Sequence, residues 1–421
     1  MSLFILNNNI HKKEIAFFFF LYITLIISFF LGEDSTGGAT KDYLNHTYAI
    51  EAFASDFFKT FYEYDTYRTR HSPILIIFLS LFEKLELQDI FIRLIHLHIC
   101  LILPFLFYKC LTVKFSQIDK KILFFLSSLI FLSPTFRSLA IWPDSRLLGL
   151  ILFTLSIYYF LKFEENKSFK FAIYNVIILA LSAYISPNFS VFSVFFLINF
   201  VFNYGIFSKK ILSIVILNLV LAFPAFYYIF ILDVNFLLKS AAIGVDENER
   251  FILNNLFNNV LISLSIILFY LIPFLFFKII KKNNIFDIKN VFISIFIFSI
   301  CVYNFDYNYS YGGGGLFFKV SYYLFQSNYL FYLISFIAIL VICSLISKNY
   351  LNILLIIIII FNNPQYTIYH KYFDPFLLIA GLTIFSFHLD LKKIFIAKNY
   401  MFILIYFLAF LIISNLKFLY V

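Results

Sequence analysis

An apolar run from Ile15 to Leu31 ends at Gly32, and two adjacent carboxylates, Glu33 and Asp34, follow at once. A carboxylate fixed at the end of a rigid helix is suited to general-base work, because its position is set before a hydroxyl arrives. Such proton transfer is worth about 10²–10⁴ in rate. The plain alternative is a solvated acidic turn that only helps to set topology. Asp42, Arg68, Arg70 and His71 come next along the same polar stretch. They read as substrate contacts or as ordinary loop charges. A second group lies in Ser133–Arg146, where Asp144 stands between Arg137 and Arg146 and beside Trp142, the one tryptophan. A guanidinium grips phosphate or carboxylate with two parallel bonds, which an ammonium cannot do. Asp144 is therefore a third catalytic candidate, or else the ion partner of a neighbouring arginine. Trp142 alone would be an interfacial anchor.

Two later stretches carry anion chemistry. Gly312, Gly313, Gly314 and Gly315 run together ahead of Lys319. Consecutive glycines let backbone amides turn inward around an anion, or let the chain hinge. The spacing is not that of a phosphate loop. His370, Lys371 and Tyr372 sit in the polar segment 362–375, where a phosphate or simple helix-end capping would suit them. No Ser-His-Asp arrangement, HExxH motif, Walker loop or GxGxxG is present. His96 and His98 are two apart and face different sides of a helix, which argues against a metal there. Cys100, Cys110, Cys301 and Cys343 lie within or at the ends of apolar segments without CxxC spacing, so no disulfide framework is expected.

The elements that must position these residues are apolar helices. The chain has 421 residues, 62% hydrophobic and 13% charged, against about a quarter charged in soluble domains. Apolar stretches of about 17–25 residues, each able to cross a bilayer, recur from end to end. We place about thirteen spans, at 15–31, 91–108, 121–135, 146–163, 171–186, 188–204, 211–232, 256–277, 290–305, 329–347, 349–361, 375–388 and 400–419. The fold class is an all-α integral membrane bundle, one polytopic domain over 1–421 with no separate soluble part. The first outer loop, about 32–90, holds an amphipathic stretch at Asn45–Tyr64 suited to the interface, and Ser72–Phe82, which is too short to span. The run at Ile15–Leu31 lacks a small-x-small cleavage site and reads as an uncleaved first helix.

Lysines crowd the alternate loops that this map puts inside, with few acids among them. That places the N-terminus in the cytoplasm and the C-terminus in the periplasm. The net charge of +9 follows from this orientation and implies no nucleic-acid partner. The six arginines, Arg68, Arg70, Arg93, Arg137, Arg146 and Arg250, all fall on the outer side or at outer helix ends. In a chain whose inner bases are all lysine, that pattern suggests an outer surface that handles anions.

Taken in order, these features resemble the GT-C superfamily of membrane glycosyltransferases, and within it the protein-mannosyltransferase and aminoarabinose-transferase branch. Glu33 and Asp34 match the family's catalytic acid after the first helix. Asn45–Tyr64 and Ser72–Phe82 match its two interfacial helices, and Asp144 a further acid after the third span. Lys371-Tyr372-Phe373-Asp374-Pro375 matches a basic-Tyr-x-x-Pro pattern, with lysine where the family usually has arginine. The resemblance implies a GT-C-like bundle in a bacterial inner membrane. It implies inverting transfer of a sugar from a polyprenyl-phosphate donor to a lipid-linked, glycan or protein acceptor. Glu33 or Asp34 would act on the acceptor hydroxyl. Arg137, Arg146, Lys319, His370 and Lys371 would meet the leaving phosphate. A divalent cation, Mg or Mn, is implied in some branches and would sit between Asp34 and Asp144 where these converge. An O-antigen polymerase or ligase, and a transporter or flippase, are the rival readings. The longest loop comes first rather than late, against the former. Charges cluster at helix ends rather than at mid-helix, against the latter.

Overall fold

The computed structural model describes residues 12–67, 72–231, 255–280, 287–347, 349–363 and 367–416. Among these the fold is helical throughout, without a strand; Ile280 and Leu389 form one isolated antiparallel bridge. The first ten helices are α1 (Lys12–Phe30), α2 (Ala39–Ser55), α3 (Phe57–Tyr62), α4 (Pro73–Glu83), α5 (Asp89–Cys100), α6 (Ile102–Lys114), α7 (Lys120–Ser128), α8 (Pro134–Ile141), α9 (Ser145–Asn166) and α10 (Phe169–Ile185). Then come α11 (Phe192–Tyr204), α12 (Lys209–Phe226), α13 (Leu256–Phe276), α14 (Ile288–Tyr303), α15 (Gly315–Phe325), α16 (Tyr329–Ile346), α17 (Tyr350–Phe361) and α18 (Phe376–Thr383). The last is α19 (Ala397–Leu416).

The chain packs as two compact units. The first takes residues 1–63, 73–186 and 391–421, the second 64–72 and 187–390. Hydropathy gives no sign of this division, because the first unit recruits its last helix from the far end of the chain.

Among the described residues, seven helices are long and apolar enough to cross a membrane: Asp89–Lys114, Ser145–Asn166, Pro187–Tyr204, Lys209–Phe226, Leu256–Phe276, Tyr329–Ile346 and Lys398–Leu416. Four of the other expected spans fall on shorter apolar helices, Glu14–Phe30, Phe169–Ile185, Ile288–Tyr303 and Tyr350–Phe361. The expected 375–388 contains only the short α18. The expected 121–135 is the first arm of a pair, Lys120–Leu132 and Pro134–Ile141, bent by 64°. The cause is local. Pro134 has no N–H to continue a helix but suits the first position of a new one. The Ser133 hydroxyl accepts from Phe136 N at 2.9 Å and starts that helix. The stretch left between the expected spans 121–135 and 146–163 thus contains a wholly buried helix, α8.

Several helices turn bulky apolar groups outward. On α12 these include Leu212, Ile216, Leu219, Val220 and Phe223; on α14, Phe292, Ile293 and Phe296. Apolar faces of this extent suit lipid rather than water. Inside the first unit, α9 and α10 are stitched by single polar bonds, Asn175 Nδ2 to Ser156 O at 2.9 Å and Ser182 Oγ to Gly149 O at 2.8 Å. The segment 72–82 forms the short helix α4. Its Leu75, Ile76 and Leu79 are buried and pack on α2.

Candidate functional site

In the first unit, α1 ends at Phe30 and the chain reverses at Gly32, whose φ of +68° suits glycine. That reversal aims Glu33 at α8. Arg137 Nε donates to Glu33 Oε1 at 3.1 Å and Oε2 at 3.0 Å, and Nη2 donates to Oε2 at 2.9 Å. The remaining guanidinium protons go to Thr24 Oγ1, Thr24 O, Phe131 O and Ser28 Oγ. From α19, Asn415 Nδ2 donates to Glu33 Oε1 at 3.4 Å. Arg137 and Glu33 keep 5% and 8% of their side-chain surface exposed. Burial works against ionising Glu33, but Arg137, Ser28 and Asn415 outweigh it and hold the carboxyl below the usual range. All five guanidinium N–H groups have acceptors, so Arg137 has no spare donor for a phosphate. This pair ties α1, α8 and α19 together.

Asp34 is also committed. Its Oδ1 accepts from Gly37 N and Ala39 N, each at 3.2 Å, and from the Thr36 hydroxyl. Its Oδ2 accepts from Gly38 N and Thr40 N, each at 3.0 Å. A carboxylate wrapped by backbone amides at a helix start satisfies donors that would otherwise lack partners, and it complements the helix dipole. The turn is then sewn to α8. Ser35 Oγ donates to Pro134 O at 2.9 Å, Thr36 N to Ser138 Oγ at 3.0 Å, and Trp142 Nε1 to Glu33 O at 3.1 Å. The early acids and the 133–146 segment therefore lie against each other, with Trp142 making a contact beyond simple anchoring.

Asp144 starts α9. Its Oδ1 accepts from Arg146 N at 2.7 Å and lies 3.7 Å from Arg146 Nε. Asp144 is buried, and Arg146 retains 19% side-chain exposure. The inner face of α2 presents Ala39, Tyr43, His46, Ala49 and Phe53 at helical spacing. His46 is buried there. Burial lowers its pKa, Asp144 and Asp42 pull it back up, and Arg146 lowers it further, so these four groups share one electrostatic neighbourhood. Nearby, the Arg93 guanidinium lies 4.0 Å from the Trp142 ring centre and 5.2 Å from that of Phe29. It pairs with Asp89 at 3.1 Å, and Asp89 also accepts from the Tyr43 hydroxyl.

The second unit gathers another group. The glycine run is stitched to the 368 segment: Gly314 N donates to Ile368 O at 2.8 Å, and the Tyr307 hydroxyl donates to Gly312 O at 2.7 Å and accepts from Ile368 N at 3.1 Å. A Cβ at Gly313 would come within 2.6 Å of Ile368 O. The run is a clasp for the loop behind it, with the Gly314 amide already engaged. Behind it, Tyr270 of α13 donates to Asp374 Oδ1 at 2.7 Å, and its oxygen lies 3.3 Å from His370 Nε2. Burial and neighbouring Lys319 push His370 down to about 3. Lys371 reaches over the Tyr369 ring, and Tyr372 is buried.

No protein-family model matches the sequence, no curated protein matches it, and no solved structure matches the fold.

Of the expected site residues, Glu33, Asp34, Asp42, Arg137, Asp144 and Arg146 belong to the first unit, and Lys319, His370, Lys371 and Tyr372 to the second. Arg68, Arg70 and His71 lie outside the described residues. Among the described residues, no group of three or more His, Cys, Asp or Glu side chains is arranged to hold a metal ion. The divalent cation expected between Asp34 and Asp144 therefore has no such ligand set among the described residues. Burial and Lys319 lower the pKa of His370, which disfavours a positive charge on a ring expected to meet phosphate. His46 and Tyr270 were not among the expected site residues, and Asp374 stood only within the Lys371–Pro375 pattern. The Asp42-x-x-x-His46 spacing, one helical turn, was the available signal for the first. Tyr270 is one of 30 tyrosines and carried none.

Proposed function

We propose that this chain is a glycosyltransferase of the bacterial inner membrane that moves a sugar from a polyprenyl-phosphate carrier to a hydroxyl acceptor on the periplasmic side. The lipid tail of the donor stays among the apolar helices, which in the full expected layout number about thirteen spans, with α2 and α4 at the interface. Asp144 is the base. As the acceptor oxygen attacks the anomeric carbon, the sugar–phosphate C–O bond breaks, the acceptor proton passes to Asp144, and polyprenyl phosphate leaves. The sugar inverts. Arg146 offers fixed positive charge to the phosphate as it gains charge, and His46 with Asp42 sets the polarity around Asp144.

The observation that carries this reading is the buried Asp144 carboxylate with Arg146, His46 and Asp42 around it, directly after the segment that clasps Glu33 and Asp34. Glu33 holds Arg137, and Asp34 holds the start of α2. Both are better suited to carrying the site than to taking a proton. The test is transfer from a radiolabelled polyprenyl-phosphate sugar in membranes that contain the protein. Wild type transfers label. Asp144→Asn, which keeps a helix-capping side chain, loses about 10²–10⁴ in rate. No transfer by wild type from any polyprenyl-phosphate sugar ends the proposal.

A further inference from the structure

Tyr270 has one hydroxyl proton, and that proton points at Asp374 Oδ1, 2.7 Å away. With Asp374 ionised, its carboxylate accepts this bond and cannot donate one. The Tyr270 oxygen therefore has only lone pairs left for His370 Nε2, 3.3 Å away. A contact between that lone pair and a ring nitrogen is favourable only when the nitrogen carries hydrogen. The proton of a neutral imidazole must then be on Nε2, which leaves Nδ1 as an acceptor. The surroundings hold the ring in this pose. It meets Phe269 edge-on at 5.4 Å between centres, and it lies 5.8 Å from the Tyr270 ring. Asp374 is buried, as is Tyr270.

We propose that Asp374 and Tyr270 are positioning residues that lock His370 as the neutral tautomer with its proton on Nε2. Beyond its Nε2–H contact with Tyr270, His370 then meets its neighbours by accepting through Nδ1. A hydroxyl or an ammonium can donate to that nitrogen. A phosphate oxygen cannot, so the positive charge for any anion at this end of the second unit falls to Lys319 and Lys371. The charged groups facing the ring support this division. Lys319 disfavours a second positive charge beside it, and the Asp374 charge is relayed through Tyr270 rather than touching the ring. This inference is independent of the transferase reading.

The experiment is nitrogen-15 NMR of the full chain, labelled at histidine, in detergent or nanodiscs. His370→Gln identifies the signal by its loss. The proposal expects a protonated Nε2 and a bare Nδ1, unchanged from about pH 8 to about pH 5. A proton on Nδ1, or an imidazolium in that range, overturns it. In Tyr270→Phe the tautomer ratio should fall by about tenfold, the scale of one hydrogen bond. A ratio unchanged in that variant overturns the positioning role, whatever the wild-type tautomer.

Discussion

Among the acid–arginine pairs of the first unit, Glu33–Arg137 and Asp144–Arg146 share their chemistry but stand in different settings. Glu33 and Arg137 come from distant parts of the chain and meet through a two-oxygen grip of 2.9–3.1 Å, with every guanidinium proton taken. Asp144 and Arg146 are two residues apart, and their side chains approach only to 3.7 Å. Arg146 also keeps 19% of its side-chain surface exposed, where Arg137 keeps 5%. A saturated, buried ion pair fixes geometry and has nothing left for a ligand. A loose pair at a helix start can exchange one partner for a substrate. On the proposed reading, the first pair is architecture and the second carries the chemistry.

The largest expected effect is on stability. Arg137→Leu strands Glu33 as a buried charge and should cost about 3–5 kcal/mol, read as a fall in thermal midpoint in detergent. Adding Glu33→Leu should restore much of that loss. A double variant as unstable as the single one would show that the pair is not the unit that matters. For Arg146→Leu the expected stability change is small while transfer from a polyprenyl-phosphate sugar falls. The reverse pattern would exchange the roles of the two pairs.

Smaller effects sharpen the picture. Gly313→Ala places a methyl against Ile368 O at a φ of +68°. It should cost about 1–2 kcal/mol and loosen the loop that carries His370, seen as faster amide exchange there. Asp34→Ala removes the acceptor for four backbone amides and should cost about 0.5–2 kcal/mol, with protection lost first at Gly37–Thr40. Acid is a further probe. His46 and His370 both have lowered pKa values in the fold, His370 to about 3, and protonate near pH 6.5 when unfolded. The unfolded chain therefore binds more protons below that value, and stability should fall as pH drops from about 6.5 toward about 3. Each histidine changed to glutamine should flatten its share of that slope.

Some of this was legible in the sequence. Apolar runs announced a helical fold, and the eleven residues before Glu83 were too few to span, which agrees with the short α4. The break at Gly32 and the acids after it marked where α1 ends. Other features had no local signature. Nothing in the spacing of Glu33 and Arg137, 104 positions apart, says that they meet. An arginine rare enough to suggest a ligand contact proved to be fully occupied by protein acceptors. The bend at Ser133-Pro134 was readable from its cap and proline, and the expected span stopped there at 135, but nothing in the hydropathy said that the residues after it form a buried helix. His46 lay in plain view one turn beyond Asp42, yet only the packing of α2 reveals that it is buried near Asp144.

The most direct measurement puts both pairs through one preparation, recording thermal midpoint and transfer rate per folded molecule from a labelled polyprenyl-phosphate sugar. Glu33→Gln should lower the midpoint and leave the rate of the folded fraction near wild type, while Asp144→Asn should hold the midpoint and lose about 10²–10⁴ in rate. Wild-type transfer by Asp144→Asn, with the midpoint intact, would contradict the account.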